Sequence, residues 1–311
     1  MSGRFPDQTG TEEIKSIDRE DSPRERLLLW VDRYLKWLLT LPTILILFSL
    51  TAFPLLRAIE MSFKSFSPTG EEYVGLMNFA NLPQNANFVN SLSLTAKFIL
   101  LAVGVELILG FTIALLLNKR LKFRGGIQTL ILLPMLISPT IVGLTWRLLL
   151  TPDGLFDFFA KPFIGQNVGW ISDPGVALFS IILADIWQWT PLVILVILAG
   201  LQSIPDDIRE AAIMDGASRR QRFVHITLPH LKSLIVLVLI IRSVDALRVF
   251  AKVFILTRGG PSGATDVVSM FLFRVAFRFN NFGEAAAMSL TLLVIVIIAS
   301  ILFIKTAGVE F

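Results

Sequence analysis

From Trp37 to Leu56, and again from Ile127 to Trp146, the chain runs for about twenty residues without a charged side chain. A bilayer's hydrocarbon core takes about 20 apolar residues per helix, whereas a soluble core helix breaks its apolar run with a polar face. Only 17% of the 311 residues are charged, against about 25% in soluble domains. The alternative, a soluble protein with a very apolar core, fails on the length of these runs. The sequence therefore predicts an all-α integral membrane protein with about six transmembrane helices: Trp37–Ile59, Leu94–Leu117, Ile127–Leu150, Val176–Leu198, Leu234–Leu256 and Ala286–Ile304. Pro42, Pro54, Pro134, Pro139 and Pro191 fall inside these spans, where neighbouring helices can re-satisfy the freed backbone groups.

Three segments are expected: 1–36, a polar tail followed by an interfacial amphipathic helix; 37–305, the transmembrane domain; and 306–311, a cytoplasmic C-terminus. Residues 1–21 mix charges without apolar periodicity. Ser22-Pro23-Arg24-Glu25 reads as a capping box with proline at the first helical position, and Leu27, Trp30, Val31, Tyr34 and Leu38 then recur at helical spacing. Lys119, Arg120, Lys122 and Arg124 crowd one short connection, and Arg219, Arg220, Arg222 and Lys232 another, while Lys64 and Lys161 stand alone in the intervening loops. By the positive-inside rule both termini face the cytoplasm of a multi-pass inner-membrane protein. The 257–284 connection, with Arg258, Arg274 and Arg278, fits this least well; a long loop outside the rule and a re-entrant segment are the two readings there.

Several chemistries are excluded. There is no cysteine, hence no disulfide, thiol nucleophile or thiolate metal site, and the two histidines, His225 and His230, do not make a cluster. A net charge of +4 without a basic stripe interleaved with aromatics is no nucleic-acid footprint.

Between two apolar stretches lies the compact, highly charged segment 202–232. Ser203-Ile204-Pro205-Asp206-Asp207 starts a helix with acids in its first turn. It should reach about Met214 and stop at Gly216, which tolerates the left-handed conformation. Ser218 with Gln221 three residues on starts a second helix, expected to end before Pro229. The segment is thus a cytoplasmic helix-turn-helix, shaped to be gripped by a partner. The bland alternative is a solvated loop whose charges only set topology.

The spacing speaks against that alternative. Glu210-Ala211-Ala212, three residues, Gly216, nine residues, then Ile226-x-Leu228-Pro229 resembles the EAA motif of ABC importer permeases in every named residue and both intervals. "WQWTPLVILVILAGLQSIP" from Trp187, "LTRGGP" from Leu256, and "FRVAF" followed by "GEAAAMS" between Phe273 and Ser289 are similar to sugar-type permeases related to the maltose system. The resemblance covers roughly Leu41 to Lys305. It implies a coupling loop seated on a cytoplasmic ATPase subunit, with Glu210, Ala211, Ala212, Asp215, Gly216, Arg219, Arg220 and Arg222 as the coupling residues. It also implies the partners: a second homologous permease, two ATPase subunits and an extracytoplasmic substrate-binding protein. No Gly-x-x-x-x-Gly-Lys-Ser/Thr phosphate loop occurs in the chain. The chain is then no enzyme and binds no cofactor, and ATP and Mg belong to the partner ATPases.

Two places suggest a route for a carbohydrate or related polyol. Arg242, Asp245 and Arg248 share a helical face within the fifth expected span. Charges at that depth pair with one another or line a pathway, and both readings stay open. The resemblance places part of a sugar site in this region, and the two arginines leave room for an acidic substrate. Trp187-Gln188-Trp189-Thr190 in the fourth span offers aromatic faces beside an amide and a hydroxyl, with an interfacial aromatic belt as the alternative. Glu106 is a lone acid that reads equally as a packing contact or a site residue. An ion-driven transporter would often show an inverted repeat, which is not seen. A membrane enzyme would need a nucleophile or metal constellation that these spans lack.

Overall fold

The structure is a computed structural model that describes residues 23–67, 70–119 and 122–307. The polar tail, Ser22 of the expected capping box, Arg120 and residues 308–311 lie outside the described residues. Helix α1 (Pro23–Ser62) is one rod of 40 residues that carries Pro42 and Pro54 without a break. The expected amphipathic segment and the first span are therefore a single helix, of which Leu39–Ser62 is long and apolar enough to cross a membrane. The part of α1 up to Arg57 forms a unit by itself, and the second unit runs from Ala58 onward.

That second unit begins with a small departure from an all-helical chain. Strands β1 (Lys64–Ser67) and β2 (Gly70–Tyr73) pair antiparallel, with Lys64 opposite Tyr73 and Ser67 opposite Gly70. Lys64 sits between Glu60 at 2.7 Å and Glu71 at 3.0 Å. After α2 (Met77–Asn81) comes α3 (Ala86–Leu117), 32 residues long. Its cap, Asn85, accepts from the amides of Asn87 and Phe88 and donates to Glu284 at the start of the last helix.

The third expected span is not one helix. It divides into α4 (Arg124–Leu136) and α5 (Pro139–Leu149), bent against each other by 95°. Pro139 lacks an amide hydrogen and restricts the residue before it to extended backbone, so it opens a new helix. Pro191, by contrast, lies inside an unbroken helix, α7 (Ala177–Gln202). Between α5 and α7 stands α6 (Leu155–Ile164), whose Asp157 organises the connection. Its carboxylate accepts from the amides of Asp153 (3.1 Å) and Val168 (3.0 Å) and from the Trp170 indole (2.8 Å). Burial opposes charge on Asp157, but these donors together with Lys161 outweigh it and hold the carboxyl below its usual range.

After the 202–232 segment, the fifth expected span is also interrupted. Helix α10 (Leu228–Leu247) ends in a break at residues 248–250 and α11 (Ala251–Leu256) resumes. The 257–284 connection contains α12 (Val268–Phe277), apolar but only ten residues long, and α13 (Phe282–Ala307) closes the described chain. Among the described residues four helices are long and apolar enough to cross a membrane, or five if α4 and α5 count as one bent span. The fifth expected span, now α10–α11, falls outside that count because it is broken and carries charges.

Helix α7 is the inner post: 61% of its most apolar window is buried, against 28% for α3 and 11% for α13. Helices α3, α5 and α11 meet it in one cluster that includes Phe98, Trp146, Ile181 and Val253. The α3 and α10 helices meet it in a second through Ala114, Ile197, Leu201 and Leu231. Glycine allows the close approach: a Cβ on Gly110 would stand 2.6 Å from Val193, and one on Gly200 would stand 2.3 Å from Leu234.

Two outcomes are expected. Gly110→Val overpacks the α3–α7 seam, because Val193 is branched and stiff; it should cost about 1–3 kcal/mol and lower the thermal unfolding temperature in detergent, whereas an unchanged temperature would remove the seam from the stability argument. The Asp157 carboxyl is depressed in the folded state, so its contribution is present above the ordinary carboxylate pKa and is lost as pH falls through the folded value. Hydrogen exchange at 165–172, corrected for intrinsic rates, should rise as the pH is taken below the ordinary carboxylate range. In Asp157→Asn that exchange should be high at every pH.

Candidate functional site

The 202–232 segment folds from its own capping signals. Helix α8 (Asp206–Met214) starts after Pro205 and carries Asp206 and Asp207 in its first turn, where the helix dipole favours acids. It ends as expected at Gly216, with φ of +72°. The Gly216 amide donates to Ile213 O and the Ala217 amide to Ala212 O, both at 3.0 Å, the paired bonds of a Schellman ending. Ser218 and Gln221 form the reciprocal capping box of α9 (Arg219–Arg222).

One expectation fails here: the second helix does not end before Pro229. It continues through a π-turn, Phe223–Thr227, directly into α10. Across the wide turn the Leu228 amide donates to Phe223 O, and Pro229, which has no amide hydrogen, sits in the first turn of α10, where proline is tolerated. The segment is consequently continuous with α10 at one end. At the other it is tied back by Ser203 Oγ, 3.3 Å from His230 Nε2.

Of the expected coupling residues, Glu210, Ala211, Asp215, Gly216, Arg219 and Arg220 are exposed. Ala212 is buried and Arg222 half-buried. Helix α8 also exposes Ile208, Ile213 and Met214 around its circumference. Exposed apolar side chains set among charges have the composition of a docking surface. A cavity of about 260 Å³ lies beneath it, lined by Arg219, Arg222 and Phe223 from the segment, Leu115 and Asn118 from the end of α3, and Leu201 and Ile204.

The intramembrane charges gather into one cluster centred on Arg242, which is fully buried. Its Nε donates to Glu106 Oε2 at 2.8 Å and its Nη2 to Glu106 Oε1 at 3.0 Å. Nη2 also donates to Asp185 Oδ2 at 2.9 Å, and Nη1 to Asp245 Oδ2 at 2.5 Å. The other Asp185 oxygen accepts from Lys252. Four helices, α3, α7, α10 and α11, are thus joined by one planar guanidinium and one carboxylate. Of the expected trio, Arg242 and Asp245 pair closely, while Arg248 is exposed and its Nη2 is 4.0 Å from Asp245 Oδ1.

Glu106 proves to be the bidentate partner of Arg242. Asp185 and Lys252 were not singled out from the sequence, although both stand in apolar stretches and the rule that flagged Arg242 applies to them equally. Only their tertiary pairing separates them from incidental charges.

The Trp187–Thr190 stretch is divided among tasks. Trp187 is partly exposed, and its ring lies 6.1 Å from Trp146. Gln188 is buried and donates to Ile137 O at 2.8 Å, at the break between α4 and α5. Thr190 Oγ1 donates to Ile186 O within its own helix. Trp189 packs under the Arg242 guanidinium, 4.9 Å from ring centre to Cζ. It lines a cavity of about 250 Å³ together with Pro139, Asp185, Asp245, Arg248 and Lys252. The Gln188 amide nitrogen and the Thr190 hydroxyl thus have partners inside the protein, while Gln188 Oε1 is buried without one among the described residues; of the four residues Trp189 reaches the charged cavity.

Arg242→Met would leave Glu106 without its partner in an apolar interior and Asp185 with one cation fewer. Breaking a buried pair costs about 3–5 kcal/mol, so a large loss of thermal stability and of folded yield is expected. Arg242→Lys should recover only part of it, because a point ammonium cannot meet three carboxylates in one plane; full recovery would show that charge without geometry suffices.

Comparisons with known proteins agree with this architecture. The family described as "Binding-protein-dependent transport system inner membrane component" matches residues 106–307. The chain is 36% identical over 275 residues, 87% of its length and 92% of the relative's, to the trehalose/maltose transport system permease protein MalF of Thermococcus litoralis. It is 28% identical over 310 residues, 97% of each chain, to the arabinooligosaccharides transport system permease protein AraP of Bacillus subtilis. A chain of a bacterial ABC transporter involved in the import of the acidic polysaccharide alginate superposes with a TM-score of 0.78 at 25% identity, covering 91% of this chain and 98% of that one. With matches of this extent, and with α3, α7 and α10 packed round one charged cluster, the chain belongs to the family of binding-protein-dependent transport system inner membrane components.

Proposed function

We propose that the chain is the transmembrane permease subunit of an ABC importer for a carbohydrate or related polyol. The observation that carries the coupling half of this reading is the 202–232 segment: an exposed, capped helix-turn-helix that is continuous with α10. A partner that moves α8 and α9 moves α10, and with it Arg242 and Asp245. The relatives named for trehalose, maltose and arabinooligosaccharide transport support a carbohydrate cargo.

On this reading Glu210, Asp215, Arg219 and Arg220 meet the charged rim of a separate ATPase subunit, Ala211 and Gly216 permit its close approach, and Ala212 and Arg222 fasten the segment to its own helices. ATP and Mg bind to that partner, and this chain performs no chemistry of its own. The segment and both termini lie in the cytoplasm. A second permease completes the pathway, and an extracytoplasmic binding protein delivers the cargo. A related transporter has been determined in complex with an alginate pentasaccharide-bound periplasmic protein, which supports the last of these partners. In the membrane the cargo passes the cavity lined by Trp189, Asp245 and Arg248. Gln188, Thr190 and Arg242 hold its walls.

Two outcomes are expected. The tagged chain should copurify with ATPase subunits, and Gly216→Arg should abolish the association, since it adds bulk at an exposed apex that needs a positive φ. Glu210→Ala should weaken it and lower cargo-stimulated ATP hydrolysis by about tenfold, the loss of a charge-assisted contact. Transport that persists with no associated ATPase would end the importer reading.

A further inference from the structure

We infer that Asp245 is a selectivity residue: it keeps the cavity electroneutral, so that the pathway takes an uncharged, hydroxyl-rich carbohydrate and turns away a carboxylated one. The inference rests on the reading of this cavity as the cargo's path.

Two arginines in one span suggest an anion site only while their partners are unknown. The structure commits Arg242 entirely: it is fully buried, and its Nε, Nη1 and Nη2 all donate to carboxylates. Lys252 is committed to Asp185. The remaining cation, Arg248, is exposed and faces Asp245 Oδ1 at 4.0 Å. Three cations therefore stand against three acids, Glu106, Asp185 and Asp245, and no positive charge is left unmatched. A carboxylated sugar would shed its water in a cavity whose lining charges already sum to zero and would meet the negative Asp245 there.

The same geometry suits a hydroxyl. Asp245 Oδ2 accepts from Arg242, whereas Oδ1 makes no hydrogen bond among the described residues. It is an open acceptor beside the cavity, toward which a sugar O–H can donate. Trp189 supplies an aromatic wall suited to the C–H face of a sugar ring. Asp245 is also the acid most open to an incoming group, with its side chain 38% exposed against 3% for Asp185.

The test uses the assembled transporter in nanodiscs and saturation-transfer NMR, which detects weak ligands. The probes are neutral glucose oligosaccharides and uronate oligosaccharides of matched length. In the wild type the neutral series should receive saturation and the uronate series should not. Trp189→Ala should cut the neutral signal by about tenfold. Asp245→Asn, which leaves one cation unmatched while Arg242 keeps Glu106 and Asp185, should admit the uronates and weaken the neutral series.

Uronates that saturate in the wild type as strongly as neutral sugars would overturn electroneutral selection and leave the pathway intact. Neutral binding without any gain of uronates in Asp245→Asn would overturn the role of Asp245. No signal from either series, or a neutral signal indifferent to Trp189→Ala, would overturn the pathway and the selectivity together.

Discussion

A charge inside an apolar protein must be met by opposite charge in good geometry, and Arg242 is where this chain meets that demand. The guanidinium is planar and carries five donors, so one side chain can satisfy carboxylates from three directions. Glu106 approaches from α3, Asp185 from α7 and Asp245 from one turn along α10 itself. Since none of these groups can be left unpaired without a large penalty, the relative placement of the helices is tied to a single side chain. Apolar packing between helices in lipid is comparatively unspecific, because lipid tails are as apolar as leucine. The polar cluster supplies the specificity that packing does not.

Helix α7 makes that cluster useful. It is the unbroken, buried element, and both interrupted segments are fastened to one stretch of it. Gln188 donates to the carbonyl of Ile137 where α4 ends. Asp185, three residues earlier, holds Arg242 from α10 and Lys252 from α11, on either side of the other break. Breaks in membrane helices expose backbone groups that must be satisfied by protein, and Gln188 on the neighbouring unbroken helix does so at the first break. Helices α5 and α11, the pieces beyond the two breaks, also meet directly: Arg147 donates to Ile255 O, and Gly143 lies against the Ile255 side chain.

The exposed helix-turn-helix gains its meaning from its attachments. A loop joined by slack chain would absorb a partner's motion, whereas the π-turn at Phe223–Thr227 carries the helical backbone unbroken from α9 into α10. The Phe223 ring rests edge-on against Phe111 of α3, 5.9 Å away. Motion of the segment therefore bears on α10 directly and on α3 through a ring contact. Those are two of the helices that Arg242 joins, so the 202–232 segment and the charged cavity share their supports.

Much of this was legible in the sequence, because the deciding forces are local. Run length against bilayer thickness identifies the membrane class. The endings of α8 and the start of α9 follow from Gly216, Ser218 and Gln221, whose hydrogen bonds reach only three to five residues along the chain. What the sequence concealed depends on partners far apart. Pro139 and Pro191 look alike in apolar context, yet one opens a new helix and the other sits inside one, and the Ile137 carbonyl freed at the first is met by Gln188, 51 residues away. Pro229 reads as a terminator, but it sits in the first turn of α10, directly after a π-turn. Most of all, Glu106 and Arg242 are 136 residues apart. That these charges pair with one another in one cluster was decided by tertiary structure alone, since pairing of buried charges depends on distance in space and not on distance along the chain.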